Sequence, residues 1–121
     1  MNVLYIEDNP ANGRLLSKYF ALKSETWRLV LADSAESGLA QAERAPPDLI
    51  LMDLNLPGKS GIEAFHELRA SAATAAIPVV AISADARPEH VTSMLALGFA
   101  AYVTKPVDFD ELEALLQRYA R

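Results

Sequence analysis

In this 121-residue chain, short apolar runs end in residues that can do chemistry. Val3–Ile6 leads into Glu7 and Asp8, and Leu49–Met52 into Asp53 and Asn55. Val79–Ile82 leads into Ser83 and Asp85, and Ala100–Val103 into Thr104 and Lys105. Glu7, Asp8 and Asp53 brought together would repel one another and raise the pKa of at least one carboxyl. A divalent cation removes that conflict. The donors are all oxygen and the chain has no Cys, so the expected ion is hard: Mg²⁺, or Mn²⁺ as a substitute. Two or three carboxylates completed by water suit Mg²⁺ better than a Ca²⁺ cage, and no EF-hand loop is present. A cation, the Lys105 ammonium and the Ser83 hydroxyl around a carboxylate make a receiver for a phosphoryl group. The carboxylate would be the nucleophile and an acyl phosphate the product.

These residues meet only if the fold gathers them. The apolar runs, with Leu29–Ala32 as the fifth, span four to six residues and are almost continuously apolar. That suits strands buried on both faces of a parallel sheet. Helix signals lie between them. Asn9 can cap a helix that opens at Pro10 and turns Leu15, Leu16, Tyr19 and Phe20 inward. Asp33 and Ser34 compete as the cap of the second helix, with Glu36 able to close a box with Asp33. Ser60 and Glu63 form a capping box for the third, whose stripe is Ile62, Phe65 and Leu68. Pro88 opens the fourth, which carries Val91, Met94 and Leu95 and stops at Gly98. Asp108 and Glu111 box the fifth, with Leu112, Leu115, Leu116 and Tyr119 inward. Five βα units specify an α/β fold, a doubly wound parallel sheet with helices on both faces. In such sheets ligands sit outside the carboxyl ends of the strands. The acids, the hydroxyl and the ammonium should therefore share one crevice.

Composition narrows the field. Eleven Lys and Arg against 16 Asp and Glu give a net charge of −5, and 51% of residues are apolar. The length fits one domain, taken as residues 1–121, with enough apolar residues for a core. Acidity without basic runs argues against direct nucleic-acid binding. No apolar run approaches the ~20 residues of a spanning helix, so no membrane association is expected. The start MNVLYIEDNP has no basic segment and is not read as a signal peptide. The expected setting is the cytoplasm.

Together, Glu7-Asp8, Asp53 within ILMDLNLPG, Ser83-Ala84 after VVAI and Lys105-Pro106 after AYVT resemble the receiver domain of two-component response regulators. The resemblance runs from Val3 to about Tyr119. It implies a flavodoxin-like (βα)5 sheet of strand order 2-1-3-4-5. It implies that Asp53 accepts a phosphoryl group from a histidine of a sensor kinase or histidine phosphotransfer protein. Asp8 and Asp53 would bind Mg²⁺ directly, Glu7 through a water, and Asn55 through its main-chain carbonyl. Ser83 would bond a phosphoryl oxygen and Lys105 would pair with the group. Lys105–Pro106 would be cis. Tyr102 matches an aromatic switch position, whose ring turns inward when Ser83 moves. The face of the fourth helix, fifth strand and fifth helix would then be read by an output protein that the sequence does not identify. Such a domain is a switch that phosphorylates and dephosphorylates itself, not an enzyme with an independent substrate. Two features depart from the commonest pattern: the first acid is Glu7, and Asp85 follows Ser83 closely enough to affect the lifetime of the acyl phosphate.

Each residue also has a plainer reading. Asp53 and Asn55 are good turn residues, Ser83 a loop cap, Lys105 a solvated lysine, Tyr102 an edge aromatic. His66 and His90 read as surface residues, and Trp27 as support for an edge strand. A haloacid-dehalogenase-like phosphatase would need an Asp where Asn55 stands. A flavodoxin-like flavin carrier would find its phosphate repelled by Glu7 and Asp8. The remaining alternative is a non-phosphorylated pseudo-receiver, an interaction module with the fold and no chemistry.

Overall fold

The computed structural model describes residues 1–23 and 26–120. Strands and helices alternate: β1 (Asn2–Ile6), α1 (Pro10–Lys23), β2 (Arg28–Ala32), α2 (Ala35–Arg44), β3 (Leu49–Asp53), α3 (Gly61–Ala70), β4 (Val79–Ser83), α4 (Pro88–Leu97), β5 (Ala101–Thr104) and α5 (Phe109–Tyr119). All pairs are parallel and the order is β2-β1-β3-β4-β5. Three of the four strands that end at chemistry run further than their apolar residues, β3 to Asp53, β4 to Ser83 and β5 to Thr104. Asp53 still pairs with Ile82, and Ser83 with Thr104, so all three polar residues end strands and are not loop residues.

Alternation along the strands divides the core in two. Val3 and Tyr5 of β1, Leu49 and Leu51 of β3, Val80 and Ile82 of β4, and Val103 of β5 face α1 and α5. They pack on Leu16, Phe20, Leu112, Leu115 and Leu116. Leu4, Ile6, Ile50, Met52, Val79 and Ala81 face the other helices, packing with Ala35, Ala64, Phe65, Leu68 and Met94. β1, β3 and β4 are the central strands, and their apolar runs are buried throughout.

β2 departs from the expected two-sided burial. Only Ala32 is buried, while Val30 and Leu31 are 41% and 46% exposed. Its composition is that of a core strand, but it lies at the sheet edge with β1 as its single neighbour. Leu15 and Leu95, expected inward, also point to solvent. Tyr19, Ile62, Trp27 and Tyr119 are half-buried against the core, and the Trp27 ring meets Phe20 at 5.9 Å.

The caps fix where each helix begins. Asn9 Oδ1 accepts from Ala11 N–H at 2.9 Å. Ser34, not Asp33, caps α2 by accepting from Ser37 N–H; Asp33 instead accepts from the Ser37 hydroxyl. Ser60 and Glu63 form the reciprocal box on α3. Asp108 accepts from Asp110 and Glu111 N–H, a one-sided cap where a reciprocal box was expected. Gly98 ends α4 with φ 119°, a left-handed conformation that glycine takes without steric cost.

Candidate phosphoryl-acceptor site

The fold gathers Glu7, Asp8, Asp53 and Lys105 at the carboxyl end of the sheet. One carboxylate oxygen from each of Glu7, Asp8 and Asp53 lies within 4.8 Å of the others. Their surroundings differ. Asp8 is exposed, whereas Glu7 and Asp53 are 6% and 2% exposed. Lys105, half-buried, reaches both: its Nζ donates to Glu7 Oε1 and to Asp53 Oδ2 at 3.1 Å each. The other Asp53 oxygen, Oδ1, accepts from Asn55 N–H at 3.0 Å, which folds the loop back over the carboxylate.

Glu7 Oε1 carries two more donors, Asn12 Nδ2 at 2.7 Å and the Tyr5 hydroxyl at 3.1 Å. Glu7 Oε2 is buried and has no hydrogen-bond partner. A buried carboxylate oxygen left in that state is costly. An all-oxygen acidic cluster with an unsatisfied buried oxygen fits a hard cation and its water, which makes Mg²⁺ a suitable occupant. Nothing in the donor set supports Mn²⁺ beyond the same oxygens.

Electrostatics follow from the crowding. Burial pushes Asp53 up, the adjoining Glu7 adds to the shift, and the Asn55 and Lys105 bonds oppose it, leaving Asp53 at about 6. Burial alone would also raise Glu7, but the adjoining Asp53 carboxyl and the Asn12 and Lys105 bonds outweigh it and hold Glu7 at about 2. The two carboxyls therefore act as one acidic pair that resists full ionisation without a counter-charge. Burial works against the Lys105 ammonium, yet its bonds to Glu7 and Asp53 keep it above its ordinary value. Burial, with the Glu7 charge beside it, raises the Tyr5 hydroxyl well above the usual range, so it remains a donor.

The second group stands on β4 and β5. Ser83 is buried, and its Oγ accepts from Asp85 N–H at 3.1 Å. The Tyr102 hydroxyl donates to the Asp85 carbonyl at 2.6 Å. Arg87 grips the Asp85 carboxylate through Nε and Nη2, and that carboxylate lies below the usual range because of it. His90, expected at the surface, is half-buried and edge-on to the Tyr102 ring at 5.8 Å; His66 is exposed. The Lys105–Pro106 peptide is cis, as expected. Lys105 N–H donates to the Ser83 carbonyl at 2.8 Å, joining the two groups through the main chain.

Three residues of this site were not singled out by sequence. Tyr5 stands two residues before Glu7, on the same side of the strand. Asn12 lies in the first turn of a helix whose start at Pro10 was legible. Gly61 opens α3 so close to β3 that a Cβ there would lie 2.5 Å from the Asp53 carbonyl oxygen and 2.8 Å from Leu54 Cα.

Known proteins resemble this chain along most of its length. The family model for the response regulator receiver domain matches residues 3–117. The signal transduction histidine-protein kinase BarA of Escherichia coli is 34% identical over 122 residues, covering 98% of this chain and 13% of that protein. The KDP operon transcriptional regulatory protein KdpE of E. coli is 36% identical over 116 residues, covering 96% of this chain and 49% of that protein. The chain thus spans half or less of these two relatives. Among solved structures, the receiver domain of sensor histidine kinase PA1611 from Pseudomonas aeruginosa, with magnesium coordinated in its active-site cleft, superposes with a TM-score of 0.84. It is 33% identical, over 98% of this chain and 95% of that one.

Proposed function

The chain belongs to the response regulator receiver domain family, and on that premise we propose that it is a phosphorylation-dependent switch in which Asp53 is the phosphoryl acceptor. The observation that carries this is the Lys105 ammonium held between Glu7 and Asp53, beside a buried Glu7 oxygen with no partner. As a receiver it is a signalling domain and not a classical enzyme.

An Asp53 carboxylate oxygen attacks the phosphorus of an N-phosphorylated imidazole on a sensor histidine kinase or histidine phosphotransfer protein. The new O–P bond forms as the P–N bond breaks, and the imidazole leaves with a proton taken from solvent. Asp8, Asp53 and the Asn55 main-chain carbonyl, with Glu7 through a water, would hold Mg²⁺, which when bound offsets charge on the transferring oxygens. Lys105 gives up its bond to Asp53 and pairs with a phosphoryl oxygen. The Ser83 hydroxyl, which accepts from Asp85 N–H, turns to donate to another phosphoryl oxygen, which frees the β4–α4 turn and the Tyr102 hydroxyl held there. The α4-β5-α5 face is then altered for an output protein. No described helix is long and apolar enough to cross a membrane. That absence and the net charge of −5 fit a cytoplasmic domain that works by protein contact and not on nucleic acid.

Acetyl phosphate with Mg²⁺ tests the proposal by intact mass. The wild type gains one labile phosphoryl adduct, and Asp53→Asn, folded, gains none. A folded wild type that takes up neither phosphoryl nor beryllofluoride is instead a pseudo-receiver.

A further inference from the structure

Resting on that reading, we infer that Asn12 and Tyr5 are positioning residues for the metal: they hold one oxygen of Glu7 so that the other stays open to the cation. Glu7 stands where its longer arm has more freedom than an aspartate would have. Left unsecured, its carboxylate could turn both oxygens onto Lys105 and close an ion pair that excludes the metal. The structure prevents this by loading three donors onto Oε1: Asn12 Nδ2 at 2.7 Å, the Tyr5 hydroxyl at 3.1 Å and Lys105 Nζ at 3.1 Å. Oε2 is left buried and without a partner, in the residue whose side chain is 1% exposed.

The donors come from three directions. Tyr5 lies on β1 with its ring on the side of α1 and α5, the side that Glu7 continues. Asn12 descends from the first turn of α1, whose start the Asn9 cap fixes. Lys105 arrives from the end of β5. Two of the three are neutral. Asn12 and Tyr5 therefore orient the carboxylate without adding positive charge beside the site, whereas a second lysine would compete with the cation. Hydrogen bonds behind a ligand carboxylate commonly set metal affinity in this way.

The test uses the full chain as wild type, Asn12→Ala and Tyr5→Phe. Magnesium dissociation constants are read from amide shifts in an NMR titration, and melting temperatures are measured without metal. Asn12→Ala should weaken magnesium about tenfold, the low end for loss of a bond behind a metal ligand. Tyr5→Phe, which keeps the ring in the core, should weaken it less because its bond is longer. In both, saturating magnesium should restore wild-type phosphoryl uptake, so the metal requirement moves and the maximal rate does not. A purely structural role would lower the melting temperature and leave the dissociation constant alone. Wild-type constants in both variants overturn the positioning role and leave the proposed function standing. A wild type with no magnesium response overturns both. Should Asn12→Ala fail to fold, Tyr5→Phe decides.

Discussion

The two halves of the site are built to different degrees of completion. On the acidic half, Glu7, Asp53 and Lys105 already touch, and Lys105 bridges the two buried carboxylates. On the hydroxyl half, Ser83 and Tyr102 are engaged elsewhere: both bond to the main chain of Asp85. No hydrogen bond among the described residues joins the Ser83 hydroxyl to Asp53. The halves also differ in direction. Tyr5, Leu51 and Val103, the residues two before Glu7, Asp53 and Lys105, face α1 and α5. Ala81, two before Ser83, faces the other layer, and Tyr102 packs there as well. The acidic half thus stands on the α1 and α5 side of the sheet and the hydroxyl half on the side of Met94 in α4. The Lys105 N–H bond to the Ser83 carbonyl links them.

The comparison breaks most easily at Lys105. Removing one partner from a buried ionic cluster costs ~3–5 kcal/mol. Lys105 is a quarter exposed, so Lys105→Ala should lose about 3 kcal/mol without metal, read by urea unfolding, with much of it recovered in Mg²⁺. The same variant should bind beryllofluoride without the change in Tyr102 NMR shifts that the wild type gives. Unchanged metal-free stability would mean that the acidic half is not held together by this ammonium.

A second, smaller effect separates the halves by pH. Asp53, raised from 3.8 to about 6, contributes stability that is complete below 3.8 and lost as pH rises through 6. Glu7, lowered from 4.5 to about 2, contributes stability that is present above 4.5 and lost only as pH falls through 2. Between pH 4.5 and 6, then, the metal-free chain loses stability as the pair ionises, and the ionised pair is the form that would bind the proposed magnesium ion. The melting-temperature gap between Mg²⁺ and metal-free samples should widen from pH 5 to pH 7.5, by on the order of 5 °C. A gap independent of pH would detach the acidic pair from the cation.

The smallest expected effect lies on the hydroxyl half. Tyr102→Phe removes the 2.6 Å bond to the Asp85 carbonyl. It should cost about 1 kcal/mol in thermal or urea unfolding and leave the magnesium dissociation constant unchanged. A several-fold change in that constant would show that the halves are not separable.

The placement of the acids was legible because each follows an apolar run that could only be an interior strand. Sheet order came from resemblance, and the exposure of β2 shows why local pattern was insufficient. Its residues match those of a central strand, and its place at the edge is decided by crossovers that leave no mark on the strand itself. Ser83 and Lys105 were legible as types but not in their partners. That Ser83 serves Asp85, and that Lys105 bridges Glu7 and Asp53, depends on side-chain directions at the strand ends. Tyr5 read as core because its ring is core; only its hydroxyl joins the site. His90 read as surface, yet the turn through Arg87 and Pro88 brings it back over Tyr102.

The bare α-carbon of Gly61 against the Asp53 carbonyl has an effect on mutational tolerance. Alanine, the mildest of replacements, cannot be admitted there by swinging a neighbouring rotamer, because the obstruction is peptide backbone on the very segment that carries Asp53. Displacement of Asp53 can thus come from an apolar methyl group at the far end of the loop, with every polar atom of the pocket left chemically intact.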